Sequence, residues 1–184
     1  MKNLLKIGTL SLALIATVFV LNTNASDTGV LTLEIQAGTG TCVYGTSLDL
    51  GQKVAQYSAI TFSGDFTNGA FWCEDNQGTQ DTWTLTMASS ILTNASNTGY
   101  TIPNTSVKMM NAQPTVTAGT CKINSGTLSL TALDSAQPIL GKLSDEGAIC
   151  KVNTDTVSME VVTATNQPVG IYTGTLTLDV PSFL

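Results

Sequence analysis

The chain has 184 residues and a formal net charge of −6, and its seven basic residues are all lysines, with no histidine and no arginine. That composition removes the usual general base, the commonest transition-metal ligand and the bidentate phosphate clamp. An acidic surface repels nucleic acid and anionic lipid, whose binding depends on cationic neutralisation, and excludes nucleic-acid binding as a function.

The N-terminus has the pattern of an export signal. Lys2 and Lys6 make a positive start, Ile7 to Leu21 is apolar, and Thr23-Asn24-Ala25 offers small residues at a cleavage site. The apolar run of 15 residues is short of the roughly 20 that a spanning helix needs. Residues 1–25 are therefore expected to be removed, leaving 26–184 as one exported domain at the cell surface or outside the cell, with no membrane span in the mature chain. Four cysteines in such a compartment, Cys42, Cys73, Cys121 and Cys150, read as two disulfides. Three pairings are open. Pairing sequence neighbours is simplest, and each such bridge closes a loop worth roughly 3 kcal/mol on the loop-entropy estimate. Zinc is disfavoured, because no two cysteines have close C-x-x-C spacing.

Residues 26–41 hold the N-terminal strand. From Val30, Leu31, Leu33, Ile35 and Ala37 alternate with Thr32, Glu34 and Gln36, the period of a strand with one buried and one wet face. A Gly/Thr cluster then leads to Cys42. Ser58 to Phe62 and Ala70 to Cys73 read as strands around turns at Ser63-Gly64-Asp65 and Asn68-Gly69. Thr82 to Ala88 is the clearest central strand, with Trp83, Leu85 and Met87 in phase. Ser106 to Met110 and Pro114 to Thr117 follow, each near a proline that suits an edge. Gly126 to Leu130 is expected to turn Leu128 and Leu130 inward, and Thr156 to Val162 to bury Val157, Met159 and Val161. Gly170 to Val180 reads as the longest regular strand, with Tyr172, Leu176, Leu178 and Val180 in phase. Thr131 to Ala136, the one place that invites a helix, is short and broken by Ser and Asp. Short strands at this spacing, apolar inside and threonine-rich outside, predict an all-β fold: a single Ig-like antiparallel β-sandwich with two disulfides.

Without histidine, a catalytic base must be Asp, Glu or Lys. Asp49, Glu74, Asp75, Asp81, Asp134, Asp145 and Glu146 sit in turn-like contexts where carboxylates cap backbone N–H groups, so no catalytic residue and no cofactor is expected. Within the acidic stretch 74–81, Asp75, Asn76 and Asp81 are candidate calcium ligands, although the closing bidentate glutamate of an EF-hand is missing. Trp83 reads as the core tryptophan, which leaves Trp72 facing the other way as the candidate contact with a glycan or other ligand. A lysine facing Asp or Asn in an exported β domain can also form an internal isopeptide bond. Lys53, Lys108, Lys122, Lys142 and Lys151 are available, and spacing does not choose among them.

From Cys42, the order of Leu48-Asp49-Leu50-Gly51, Cys73 and the alternating Trp83-Thr84-Leu85-Thr86-Met87 resembles the Ig-like subunits of chaperone–usher pili and the related spore-coat-U-like secreted domains. The run Leu31, Leu33, Ile35, Ala37 is similar to the N-terminal donor strand of such pilins, and Gly170 to Val180 to their closing strand. Together these features cover about half of residues 26–184. The chain departs from the family in carrying a second cysteine pair and in ending Pro-Ser-Phe-Leu, where pilins commonly carry one disulfide and a tyrosine near the C-terminus. Trp83-Thr84-Leu85 with Tyr172-x-Gly174-x-Leu176 also resembles WxL-type wall-attached surface domains, which have two tryptophan motifs where this chain has one. The pilin resemblance implies a non-enzymatic surface subunit that self-assembles or joins other surface proteins, with the N-terminal strand either exchanged between copies or closing its own sandwich. The alternative is a surface adhesin or carbohydrate-binding module.

Overall fold

The structure, a computed structural model, describes residues 33–34, 38–45, 48–78, 81–144 and 149–181, with the side chains of 67–70 left out. The chain divides into two compact units, Met1–Glu34 and Ile35–Leu184, and all the strands described lie in the second. Its strands are β1 (Gly40–Val43), β2 (Thr61–Asp75), β3 (Trp83–Ser89), β4 (Leu92–Asn94), β5 (Thr101–Ile102), β6 (Val107–Asn111) and β7 (Thr115–Gly119). They continue as β8 (Ile123–Asn124), β9 (Thr131–Ala132), β10 (Gln137–Lys142), β11 (Cys150–Val162), β12 (Tyr172–Thr173) and β13 (Leu176–Asp179), and the only helical turn among the described residues is a short 3₁₀ turn at Asn104–Ser106. No helix among the described residues is long and apolar enough to cross a membrane.

Every pairing is antiparallel, as the alternation predicts. One sheet has the order β1-β2-β11-β6-β9, with β7 also on β11; the second is β13-β3-β10-β8; a small third is β12-β4-β5. The fold is thus an antiparallel β-sandwich with two disulfides. Phe71, Met109, Val152 and Val157 from the first sheet and Leu85, Met87, Ile139 and Leu140 from the second are buried in one apolar cluster. Both bridges join sequence neighbours. Cys42 and Cys73 face each other directly across β1 and β2, and Cys121, just before β8, reaches Cys150 at the start of β11. The second bridge therefore links the two sheets.

Four local expectations are corrected. The turns predicted at Ser63-Gly64-Asp65 and Asn68-Gly69 do not form, because β2 runs through both as a single 15-residue strand. The long partner β11 supplies ladder bonds on either side of a register shift between Thr154 and Thr156 that absorbs the extra residues of β2. Gly64 lies where Leu48 and Leu50 press on the strand, and a Cβ there would stand 3.1 Å from Leu50 Cδ2. Glycine at that position serves packing, and no chain reversal follows from it. Leu128 and Leu130 are exposed and Thr127 is buried, the opposite of the expected phase. The side chain of Asn111 takes over the backbone there: its Oδ1 accepts from Thr127 N–H and its Nδ2 donates to Ser125 O.

The terminal run 170–180 is two short strands in different sheets, β12 on β4 and β13 on β3. Between them Thr175 N–H donates to Ser90 Oγ while Ser90 N–H donates to Thr175 O, which pins the crossing between sheets. The sequence reading also passed over β10. Its last four residues, Ile139 to Lys142, are all buried, and a register shift between Pro138 and Leu140 removes the two-residue period by which strands are recognised.

Gly126 has φ +67 and a Cβ added there would lie 2.1 Å from Ile139 O. Gly126→Ala is expected to lower unfolding free energy by roughly 2–4 kcal/mol, from left-handed strain plus displaced backbone, read by urea denaturation.

Candidate functional site

Two places in the second unit carry unusual chemistry or shape, and they lie at opposite ends of β2. At its C-terminal end, β2 continues to Asp75, so Phe71, Cys73 and Asp75 all face the interior. The strand β10, in the opposite sheet, ends by placing Lys142 inside. Lys142 Nζ stands 2.9 Å from Asp75 Oδ2, with 0 % and 1 % of the two side chains exposed. The Trp83 indole Nε1–H donates to the same oxygen at 3.1 Å, and Gln77 N–H donates to Oδ1 at 3.0 Å. The pair thus bridges the two sheets in a dry environment with both carboxylate oxygens held. Both disulfides stand beside it: Cys73 is two residues before Asp75, and Cys150 is its register partner on β11.

The other candidate positions have separate settings. Asp81 is exposed, Asn76 Nδ2 donates to Glu74 Oε1, and Asp75 is committed to Lys142 and Trp83. The three proposed calcium ligands therefore do not share one environment. Among the described residues no group of three His, Cys, Asp or Glu side chains is placed to hold a metal ion. Trp72 faces outward from β2, half-buried, with Lys151 Nζ 3.7 Å from its ring centre, so one face of the indole is covered by a cation. Of the alternating N-terminal positions, Leu31, Ile35 and Ala37 lie outside the described residues, and Leu33 is exposed.

At the N-terminal end of β2 the sandwich opens. A groove of about 920 Å³ runs between the sheets, lined by Leu50, Phe62, Val107, Val161, Leu92 and Leu176. Two strand edges border it. On β2 only Trp72 to Asp75 pair with β1, so no second strand pairs with Thr61 to Phe71 among the described residues, although Lys53 Nζ donates to Thr61 O and Leu48 and Leu50 pack against Gly64. Likewise, among the described residues, β13 pairs on one side only, with β3. The rim carries Val169 and Ile171, 83 % and 72 % exposed, and beyond the loop at Leu48–Lys53 stand Val54 and Tyr57, 89 % and 92 % exposed. Leu48 and Leu50 are aimed at β2 by a tight turn in which Asp49 Oδ1 accepts from Gly51 N–H, with Gly51 at φ +77. The Leu-Asp-Leu-Gly signature is thereby explained as a groove-lining element.

Sequence reasoning missed both features for one reason. Each is assembled from segments far apart in the chain, and Asp75 and Lys142 are 67 residues apart. No family model and no curated protein matches this chain.

Lys142→Met leaves the Asp75 carboxylate without its cation in the interior, and is expected to cost roughly 3–5 kcal/mol of stability. Lys151→Met removes only an outward cation–π contact and should cost less than about 1 kcal/mol. Urea titrations of both variants on tryptophan fluorescence check the contrast.

Proposed function

We propose that the mature chain is an exported, non-catalytic structural subunit of a cell surface, pilin-like or part of an envelope layer, joined to its neighbours by strand exchange. The groove carries this reading. It combines two unpaired strand edges with an apolar floor, the arrangement that takes an added strand, with main-chain hydrogen bonds for affinity and alternating pockets for side chains. The chain contains one segment of matching pattern, Val30 to Ala37, with Leu31, Leu33 and Ile35 at alternate positions.

Chain length argues that this segment serves a second copy. Gly38 N–H donates to Asn76 O, which ties the start of β1 to the end of β2 remote from the groove. The 15 residues of β2 extend about 50 Å at strand rise. Eight residues reach at most about 28 Å fully extended, so a segment ending at Ala37 cannot be laid in its own groove. The groove of a neighbour has no such limit. Successive copies joined this way would make a linear array, because each has one segment to give and one groove to fill.

The test compares the mature protein with a version lacking Ser26 to Ala37 by size-exclusion chromatography and heated gels. Expected are heat-resistant multimers of the mature protein, and monomers of the shortened one that bind a synthetic peptide of residues 30–37. The reading is overturned if the mature protein is monomeric, or if the shortened one unfolds and the peptide does not bind.

A further inference from the structure

The buried pair at the other end of the sandwich has a chemistry that strand exchange does not use. A lysine ammonium and an aspartate carboxylate, held in contact where water is excluded, contain the atoms of an amide and one molecule of water. We propose that Asp75 and Lys142 are a site of covalent modification within the chain itself, an isopeptide bond between Lys142 Nζ and Asp75 Cγ that locks the two sheets together.

The observations that carry it are geometric. Nζ and Oδ2 are 2.9 Å apart, both side chains are buried, and they come from strands in opposite sheets, β2 and β10. The surrounding strands are fixed by Cys42–Cys73 and Cys121–Cys150, so the reacting groups are held together by the fold. Such confinement replaces a bimolecular encounter with an effectively unimolecular one, a very large gain for an otherwise slow condensation. Burial of two full charges is costly even when they are paired, and amide formation removes both.

The step balances without any oxidant, reductant or co-reactant. One proton passes from Nζ to Oδ2 across the contact, leaving an amine beside a carboxylic acid. The nitrogen lone pair attacks Cγ and forms the C–N bond, and charge develops on Oδ1, where Gln77 N–H already donates at 3.0 Å. A second proton moves from the nitrogen to Oδ2, the Cγ–Oδ2 bond breaks, and Oδ2 departs as water. Trp83 Nε1–H, donating to Oδ2 at 3.1 Å, holds the leaving oxygen in place. The product is a neutral amide whose one N–H and one carbonyl replace two buried charges.

The proposal is independent of assembly and is tested on the unaltered protein. The mature protein is unfolded, reduced, alkylated and cut with trypsin, then read by mass spectrometry. An isopeptide bond blocks cleavage after Lys142, so residues 54–108 and 123–151 should appear as one branched species, lighter by one water than the two peptides together. Fragmentation should place the link at Asp75 and Lys142. In Lys142→Arg, which keeps a cation at the site, the branched species should vanish and the separate peptides appear. Separate peptides with cleavage after Lys142 in the unaltered protein, at unreduced mass, overturn the proposal.

Discussion

The pairing of β2 with β11 is the constraint on which the rest of the molecule depends. These two strands run side by side from Thr61–Val162 to Asp75–Cys150, and every other strand of their sheet is shorter. On β11, the shorter strands β6 and β7 divide the outer edge between them. On β2, β1 pairs with only the last four residues, and no other strand pairs with the remainder of that edge among the described residues. The long ladder therefore produces two unlike ends. One is closed by β1, both disulfides and a buried ion pair. The other parts the sheets over an apolar groove.

The closed end shows how polar groups are tolerated in a small core. A lone Asp or Lys at such depth would be strongly unfavourable. Here the carboxylate accepts from an ammonium, an indole and a backbone N–H, so both of its oxygens are engaged. The same arrangement that satisfies the charges also sets the lysine nitrogen beside the carboxylate, the two groups that the proposed amide joins. The neighbouring disulfides hold the frame, and the strands that bring the two residues together come from different sheets. Buried Asn94 and Asn111 solve smaller versions of the problem, since each side chain bonds local backbone that has left the ladder.

The open end follows a different physical rule. Apolar side chains at a strand edge are stable when another strand can complete the ladder over them. Val169 and Ile171 stand exposed on the groove rim, while Leu176 and Leu178 on the edge strand β13 are only partly covered.

Alternation by itself determined a good deal of this protein. Trp83, Leu85 and Met87 on β3, and Val157, Met159 and Val161 on β11, are buried in the phase their sequence shows, because a strand with one solvated face must alternate. The all-β class and the antiparallel sheets follow from the same patterning, and the neighbouring pairing of the cysteines was the simplest of three. Tertiary structure decided the rest. It carried β2 through two glycine-bearing sites: Ser63, Gly64 and Asp65 are held by the ladder with β11, while Asn68 and Gly69 fall within the register shift between Thr154 and Thr156. It split 170–180 between two sheets and hid β10, whose buried residues lack a period. It also brought Asp75 to Lys142 and opened the groove between β2 and β13. Both are contacts between segments far apart in the chain, and local pattern carries no record of which distant strand a side chain will face.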